Sequence, residues 1–158
     1  MKGNPIRPRW QAFAKVLLPE LFAAFEHDAP GDRQDGSVMP FIALLLPATK
    51  IAHRDNDEQF LLNAYAFAHW CMAQPDRDLW NSAGVFFFRH LFDDLPPDTV
   101  VPWVAAETFS DILPLIEVRL GAERARKVRK RFEARKETVE RNYASVIARA
   151  EREVMRAS

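Results

Sequence analysis

The sequence predicts an all-α protein, a single-domain helical bundle of about five to six helices that ends in a long basic helix. Over most of the chain, apolar residues recur at three- and four-residue steps, which is the period of one helix face. Proline or glycine stands at most of the predicted helix ends. The chain has only 5 Gly, few for a fold built from hairpin turns, and its 158 residues can bury one core without a disulfide or a metal.

The N-terminal third contains a helical stretch, a loop and a segment of undecided type. An apolar stripe predicts a helix over residues 9–28, in which Pro19 marks a kink or the meeting of two short helices. Residues 29–37 have the composition of a surface loop. Residues 38–51 are undecided, because the apolar run Phe41–Leu46 fits either a buried helix or a lone strand.

The middle of the chain predicts two central helices. Residues 58–73 are apolar nearly all round, as a helix at the centre of a core is, and acidic residues just before them supply N-cap candidates. Residues 78–95 form the second central helix, and the pair Pro96 and Pro97 stops it.

Two further helical patterns complete the chain. The first runs over residues 102–120, with a break expected at Pro114 and a C-cap at Gly121. The second covers residues 122–156, which lack Pro and Gly and are rich in the helix formers Ala, Arg, Glu and Lys. A single helix of this length would extend about 52 Å, beyond the ~30 Å width of a small domain.

Charge is unevenly divided along the chain, although the formal net charge is zero. Residues 1–118 carry 9 Lys and Arg against 16 Asp and Glu, whereas residues 119–158 carry 13 against 6. We therefore divide the chain into an acidic helical core at 1–121 and a long basic C-terminal helix at 122–158, which belongs to the same domain or projects from it. Such asymmetry points to a charged partner.

Eight of the cations fall within 13 consecutive residues of the basic segment. A cluster of this density can neutralise phosphates. The candidate nucleic-acid-binding residues are Arg124, Arg126, Lys127, Arg129, Lys130, Arg131, Arg135 and Lys136. Two other roles stay open, contact with the domain's own acidic surface and contact with a protein partner. The sequence pI of 6.9 argues against a dedicated nucleic-acid binder, whose domain is usually basic as a whole.

Acidic residues cluster near the predicted helix ends. Asp57 lies at a helix start, where a carboxylate complements the helix dipole. Asp93 and Asp94 lie at a helix C-terminus, against that rule, and are therefore better candidates for a functional surface. The candidate partner-binding residues are Asp57, Asp93, Asp94 and Asp98. An acidic surface of this kind suits a basic protein partner through electrostatic complementarity.

No set of residues has the spacing of a known catalytic or metal-binding motif. Cys71 is the one cysteine and lies in an apolar run, which indicates a buried thiol. The four histidines share no metal-ligand spacing, and His69, among aromatic residues, is expected to bond a backbone carbonyl in or near the core. Nucleophile-elbow and phosphate-binding glycine motifs are absent. We therefore expect no catalytic residue, metal or cofactor, and the sequence favours a protein that is not an enzyme.

The stretch Trp80–Pro96 has the helix pattern N-x-x-x-V-x-F-x-x-x-L, and a Leu-Pro-Leu sequence follows at 113–115. Over residues 60–120 this pattern resembles small uncharacterised all-helical bacterial proteins of the immunity-protein type. The resemblance implies a non-enzymatic protein that neutralises a toxin or effector by binding it through a charged surface.

Two alternative functions remain open, and both use the basic segment. One is a nucleic-acid-associated regulator that binds through it, and the other is an oligomeric structural protein in which it pairs with a second copy of the chain. A signal-peptide core is absent, and no apolar run is long enough to span a bilayer, so we expect a cytoplasmic protein without a membrane partner.

Overall fold

The computed structural model describes residues 6–28, 36–135 and 142–157, and every regular element in these ranges is helical. The α-helices are α1 Ile6–Leu17, α2 Pro19–Asp28, α3 Met39–Asp55, α4 Glu58–Met72, α5 Arg77–Asn81, α6 Arg89–Asp94, α7 Pro97–Val100, α8 Ala106–Leu120, α9 Ala122–Arg135 and α10 Tyr143–Ala157. A π-helical segment, Ser82–Phe88, joins α5 to α6, and a 3-10 turn, Val101–Trp103, follows α7. The predicted all-α class is confirmed, but the described helices are shorter and more numerous than the five or six predicted.

Proline explains part of this difference. Two helices, α1 and α2, meet at Pro19, which is one of the two predicted alternatives. Pro102 lies in the 3-10 turn, so residues 102–120 are not one helix. The break expected at Pro114 is wrong, because α8 continues through it. Ile112 and Ile116 on either side of Pro114 are fully buried, and their packing outweighs the hydrogen bond that a proline removes.

The undecided segment 38–51 is helical and belongs to α3. Its apolar residues Phe41, Ile42, Leu45 and Leu46 are buried at helical spacing, and Pro47 lies inside the helix. The lone-strand alternative is therefore excluded. The predicted loop at 29–37 falls largely outside the described residues, since only residues 36 and 37 of it are described.

The core is built around α4, in which every residue from Ala64 to Met72 is buried. This confirms the prediction of a central helix that is apolar nearly all round. Aromatic rings fill the space between α4 and the N-terminal helices. Trp10 of α1 lies 5.6–6.4 Å, centroid to centroid, from four phenylalanines of α2, α3 and α4. Edge-on and tilted packing of this kind adds to the burial of the rings themselves.

The basic C-terminal segment forms two helices, which corrects the prediction of one long helix. Asn142 is not helical, and its side chain accepts a hydrogen bond from the Ser145 amide (3.1 Å) at the start of α10. α9 packs against α8, whereas α10 packs against α4 and α1. The apolar residues of the segment thus pack on two different surfaces of the body. One straight helix could pack on only one of these surfaces. None of the helices in the described ranges combines the length and the apolarity that crossing a membrane requires.

Candidate interaction surface

The orientation of α9 is fixed by one turn and one apolar face. Gly121, between α8 and α9, has a φ of 93°, a backbone conformation that favours glycine. Ala125 and Val128 of α9 are buried, and the Phe132 ring packs on the Phe109 ring of α8 with a centroid distance of 4.1 Å. Because this narrow face is turned to the body, the basic side chains occupy the remaining faces of the helix.

The structure places six of the eight candidate cations as exposed side chains of α9. Arg135 is the last described residue of α9, but its side chain is not described, and Lys136 lies outside the described residues. Arg131 forms an ion pair with Asp98 of α7 (3.4 Å). In the part of the chain that the structure describes, the other five have no carboxylate within ion-pair distance. We call these five the cationic surface: Arg124, Arg126, Lys127, Arg129 and Lys130.

The cationic surface has an excess of positive charge, because its five cations share the exposed faces of α9 with only two acidic residues, Glu123 and Glu133. Arg126 and Lys130 are four residues apart on one helix, and Lys127 and Lys130 are three apart, so like charges are neighbours. Each such pair destabilises an isolated helix by about 0.2–0.5 kcal/mol. An anion bound across these side chains would remove that repulsion, and the surface can therefore act as an anion-binding face.

Three of the four candidate acids are paired with cations of the same chain. Asp94 bonds Lys50 of α3 (2.7 Å), Asp93 bonds Arg119 of α8 (2.9 Å), and Asp98 pairs with Arg131 of α9. These pairs tie α6 and α7 to three neighbouring helices. Local sequence does not identify these three partners, because each of them is distant along the chain.

Asp57 is the N-cap of α4. Its side chain accepts a hydrogen bond from the Phe60 amide (3.2 Å), which satisfies one donor of the first helical turn. Asp57 therefore differs in role from the three paired acids, because it caps a helix. Its carboxylate is also exposed.

A cleft of about 550 Å³ lies where α4, α8 and α10 meet, and it holds the ionisable residues His69, Glu107 and Asp111. Both ring nitrogens of His69 are engaged. The Ala105 amide donates to Nε2 (3.0 Å), so Nε2 carries a lone pair, and Nδ1 carries the proton and donates to the Tyr65 carbonyl. The prediction of a carbonyl-bonded histidine is confirmed. This imidazole can take a proton from a substrate only by losing the Ala105 bond, which opposes acid–base catalysis in the cleft.

Two other groups that could be reactive, the His53 imidazole and the Cys71 thiol, are held by burial and packing in the fold. His53 bonds the Tyr65 hydroxyl (2.7 Å), and burial lowers the pKa of its imidazole to about 4. Burial raises the pKa of the Cys71 thiol well above its usual range, with smaller contributions from Asp78 and Asp76. The thiol is therefore protonated at neutral pH and is a poor nucleophile. Within the described ranges, no group of three or more His, Cys, Asp and Glu side chains is placed to hold a metal ion.

Comparison with known proteins gives one match. The model of a family described as a domain of unknown function, DUF7674, matches residues 11–115. The matched range extends from α1 into α8, and α9 and α10 follow it. No curated protein and no solved structure matches the chain.

Proposed function

This chain belongs to the DUF7674 family, and we propose that it is a non-enzymatic macromolecule-binding protein that binds an acidic partner protein on the cationic surface of α9. One observation carries the proposal. Five exposed cations lie within the seven residues 124–130 of α9, and none of them has an ion partner among the described residues. Interfaces between proteins commonly match such a surface with charge of the opposite sign.

The charge of the body favours a protein over a nucleic acid as the partner. A nucleic acid carries phosphates along its whole length, whereas α9, with 14 residues, is only about 21 Å long. A duplex lying along α9 would extend past it toward a body in which residues 1–118 have an excess of acidic side chains. An acidic patch on a protein is compact and avoids this repulsion. Nucleic-acid binding stays the alternative, and the experiment below separates the two.

The immunity-type hypothesis remains a proposal about the partner's identity. By this hypothesis, a basic toxin or effector binds the four acids Asp57, Asp93, Asp94 and Asp98. The ion pairs of three of these acids reduce the negative potential that they offer, so this surface ranks second to the cationic surface. A toxin or effector with an acidic face fits the cationic surface equally well.

Charge reversal tests the proposal. Fluorescence anisotropy at low salt would measure the binding of a labelled oligoglutamate peptide and of a labelled DNA duplex. We expect Lys127→Glu with Lys130→Glu to weaken peptide binding by about tenfold or more, because it reverses the centre of the cationic surface. The matched control is Arg152→Glu with Arg156→Glu, which reverses two exposed cations of α10 and should change the affinity by less than about threefold.

The outcomes separate the candidate functions. An equal loss in both double variants would mean that only total charge matters, and would contradict the proposal. Tighter binding of the duplex than of the peptide, lost in the α9 variant alone, would favour the nucleic-acid-associated regulator instead. If the wild type binds neither probe, the cationic surface is not a binding surface for anions.

A further inference from the structure

A groove of about 560 Å³ lies between α8 and α9, beside the cationic surface. Leu113 and Pro114 form its α8 wall, and the small residues Ala122 and Ala125 form part of its α9 wall. Arg126 and Arg129, which belong to the cationic surface, also line it. The groove therefore joins an apolar wall to two arginines that have no ion partner among the described residues.

The apolar character continues along α8 beyond the groove. Val118 lies one turn after Pro114, and its exposed fraction is 82%, the highest of the exposed large apolar residues in the described ranges. A side chain of this kind gains free energy when a partner covers it, at roughly 25 cal/mol for each Å² of apolar area removed from water. α8 thus offers exposed apolar area both in the groove and one turn beyond it.

Resting on the proposed function, we infer that the α8–α9 groove is the docking site for an amphipathic acidic helix of the partner protein. The apolar stripe of that helix would contact Leu113 and Pro114, and the small side chain of the exposed Ala122 would let it approach the α9 backbone. Carboxylates beside the stripe would pair with Arg126 and Arg129, whose forked guanidinium groups suit bidentate bonds. Amphipathic helices bound in grooves between helices are a recurring mode of recognition.

Glu117 gives this inference a sharp test, because it is the acidic residue that lines the same groove. It makes no ion pair with Arg126 or Arg129 within the described structure, so its charge opposes an acidic ligand without being neutralised by them. Glu117→Gln keeps the size and the helix propensity of the side chain. It should therefore tighten the binding of an acidic helix by about two- to fivefold.

Two labelled peptides of identical composition test the helix stripe. In one, leucines recur at helical spacing beside glutamates, and in the other the same residues are shuffled so that no stripe forms. The groove predicts that the full-length protein binds the striped peptide at least about tenfold more tightly. Pro114→Glu should reduce that preference to less than about threefold, because it puts a charge on the apolar wall while replacing proline by a good helix former.

Controls keep the result interpretable. Ala106→Glu adds the same charge at the exposed start of α8, two turns from Pro114, and should leave the preference for the striped peptide unchanged. Circular dichroism melting of each variant confirms that it is folded. Equal affinity for the two peptides, both lost on reversal of Lys127 and Lys130, would overturn the groove and leave the proposed function standing. Binding of neither peptide would overturn both, and weaker binding in Glu117→Gln would contradict the groove.

Discussion

His69 joins α4 to the chain before α8 through Nε2, which accepts from the Ala105 amide, while Nδ1 donates to the Tyr65 carbonyl within α4. Replacing it with alanine would leave the Ala105 amide without an acceptor and remove a ring that stacks on Tyr143 at 4.4 Å. We expect His69→Ala to lower the free energy of unfolding by about 2–4 kcal/mol. Urea denaturation measures this, with His90→Ala as the control. The half-buried His90 bonds the Phe86 carbonyl, four residues earlier in the adjoining π-helical segment, so its loss should cost about 1 kcal/mol. Equal losses would contradict the bridging role.

His53 should make the stability of the fold depend on pH. Burial lowers its pKa to about 4, so between that value and the ordinary value near 6.5 the unfolded chain binds a proton that the folded chain rejects. The contribution is complete above about pH 6.5 and is lost as the pH falls toward 4. Because the ring is only half-buried, we expect a loss of about 1–2 kcal/mol. Urea denaturation across this range should show a smaller decrease for His53→Gln, and an unchanged decrease would contradict the assignment.

Cys71 should be unreactive in the native state. It is completely buried in α4, and the pKa of its thiol is raised. A thiol reagent such as Ellman's reagent should label it only after unfolding in urea, at a rate that follows the unfolded fraction. Rapid labelling of the folded protein would show that this part of α4 opens without global unfolding.

At the residue scale, sequence reasoning predicted the surroundings of single side chains better than their long-range partners. The buried thiol of Cys71 and the carbonyl-bonded His69 follow from neighbours along the chain, because an apolar helical run places its members in the core. The ion-pair partner of Asp93 lies 26 positions away along the chain, and that of Asp94 lies 44 positions away. Such partners depend on how helices pack, which local pattern does not determine.

At the scale of the element, the turn at Gly121 sets the direction of α9. Gly121 has φ 93° and ψ 159°, a region that residues with a Cβ rarely adopt. A Cβ there would meet no atom within 4 Å, so the cost of Gly121→Ala comes from the backbone alone. We expect about 1–3 kcal/mol of lost stability by urea denaturation. Ser110→Ala, at an exposed position of α8, should stay within about 0.5 kcal/mol. An equally small change for Gly121→Ala would show that the turn adopts another conformation.

Helices with a strong apolar period were predicted from sequence, and those that depend on tertiary contacts were not. α4 and the division of α1 from α2 at Pro19 follow from composition and proline position. The passage of α8 through Pro114 does not, since buried neighbours compensate for the lost bond. The separation of α9 from α10 is a similar case. Both carry helix-forming residues, but they pack on two different surfaces of the body, which local sequence does not indicate.

At the scale of the whole molecule, folding neutralises only part of the charge asymmetry. The division of the chain into an acidic part and a basic part was evident from sequence. The sequence did not show which cations would form ion pairs with the body. That depends on which faces α8 and α9 turn toward α6 and α7. The structure pairs Arg119 and Arg131 and leaves the cationic surface exposed.

Self-association through α9 is disfavoured for the same reason. Two copies that met along this helix would bring ten like-charged side chains together, five from each cationic surface. We expect light scattering at low salt to show no dimer formed through α9. A chain truncated at Gly121 is a poor control, since it also loses α10 and uncovers the faces of α1 and α4 on which α10 packs. The double variant Lys127→Glu with Lys130→Glu is a better control. If the wild type forms a dimer and this variant does not, the expectation is contradicted.

Backbone amide chemical shifts during titration with an acidic peptide test the central claim most directly. Adding the striped leucine–glutamate peptide to the isotope-labelled full-length protein should shift amides of α9, from Arg124 to Lys130, together with those of α8 around Leu113. Amides near Asp93, Asp94 and Asp98 should stay in place. Shifts confined to α6 and α7, or spread evenly over the molecule, would contradict the assignment of the binding surface to α9.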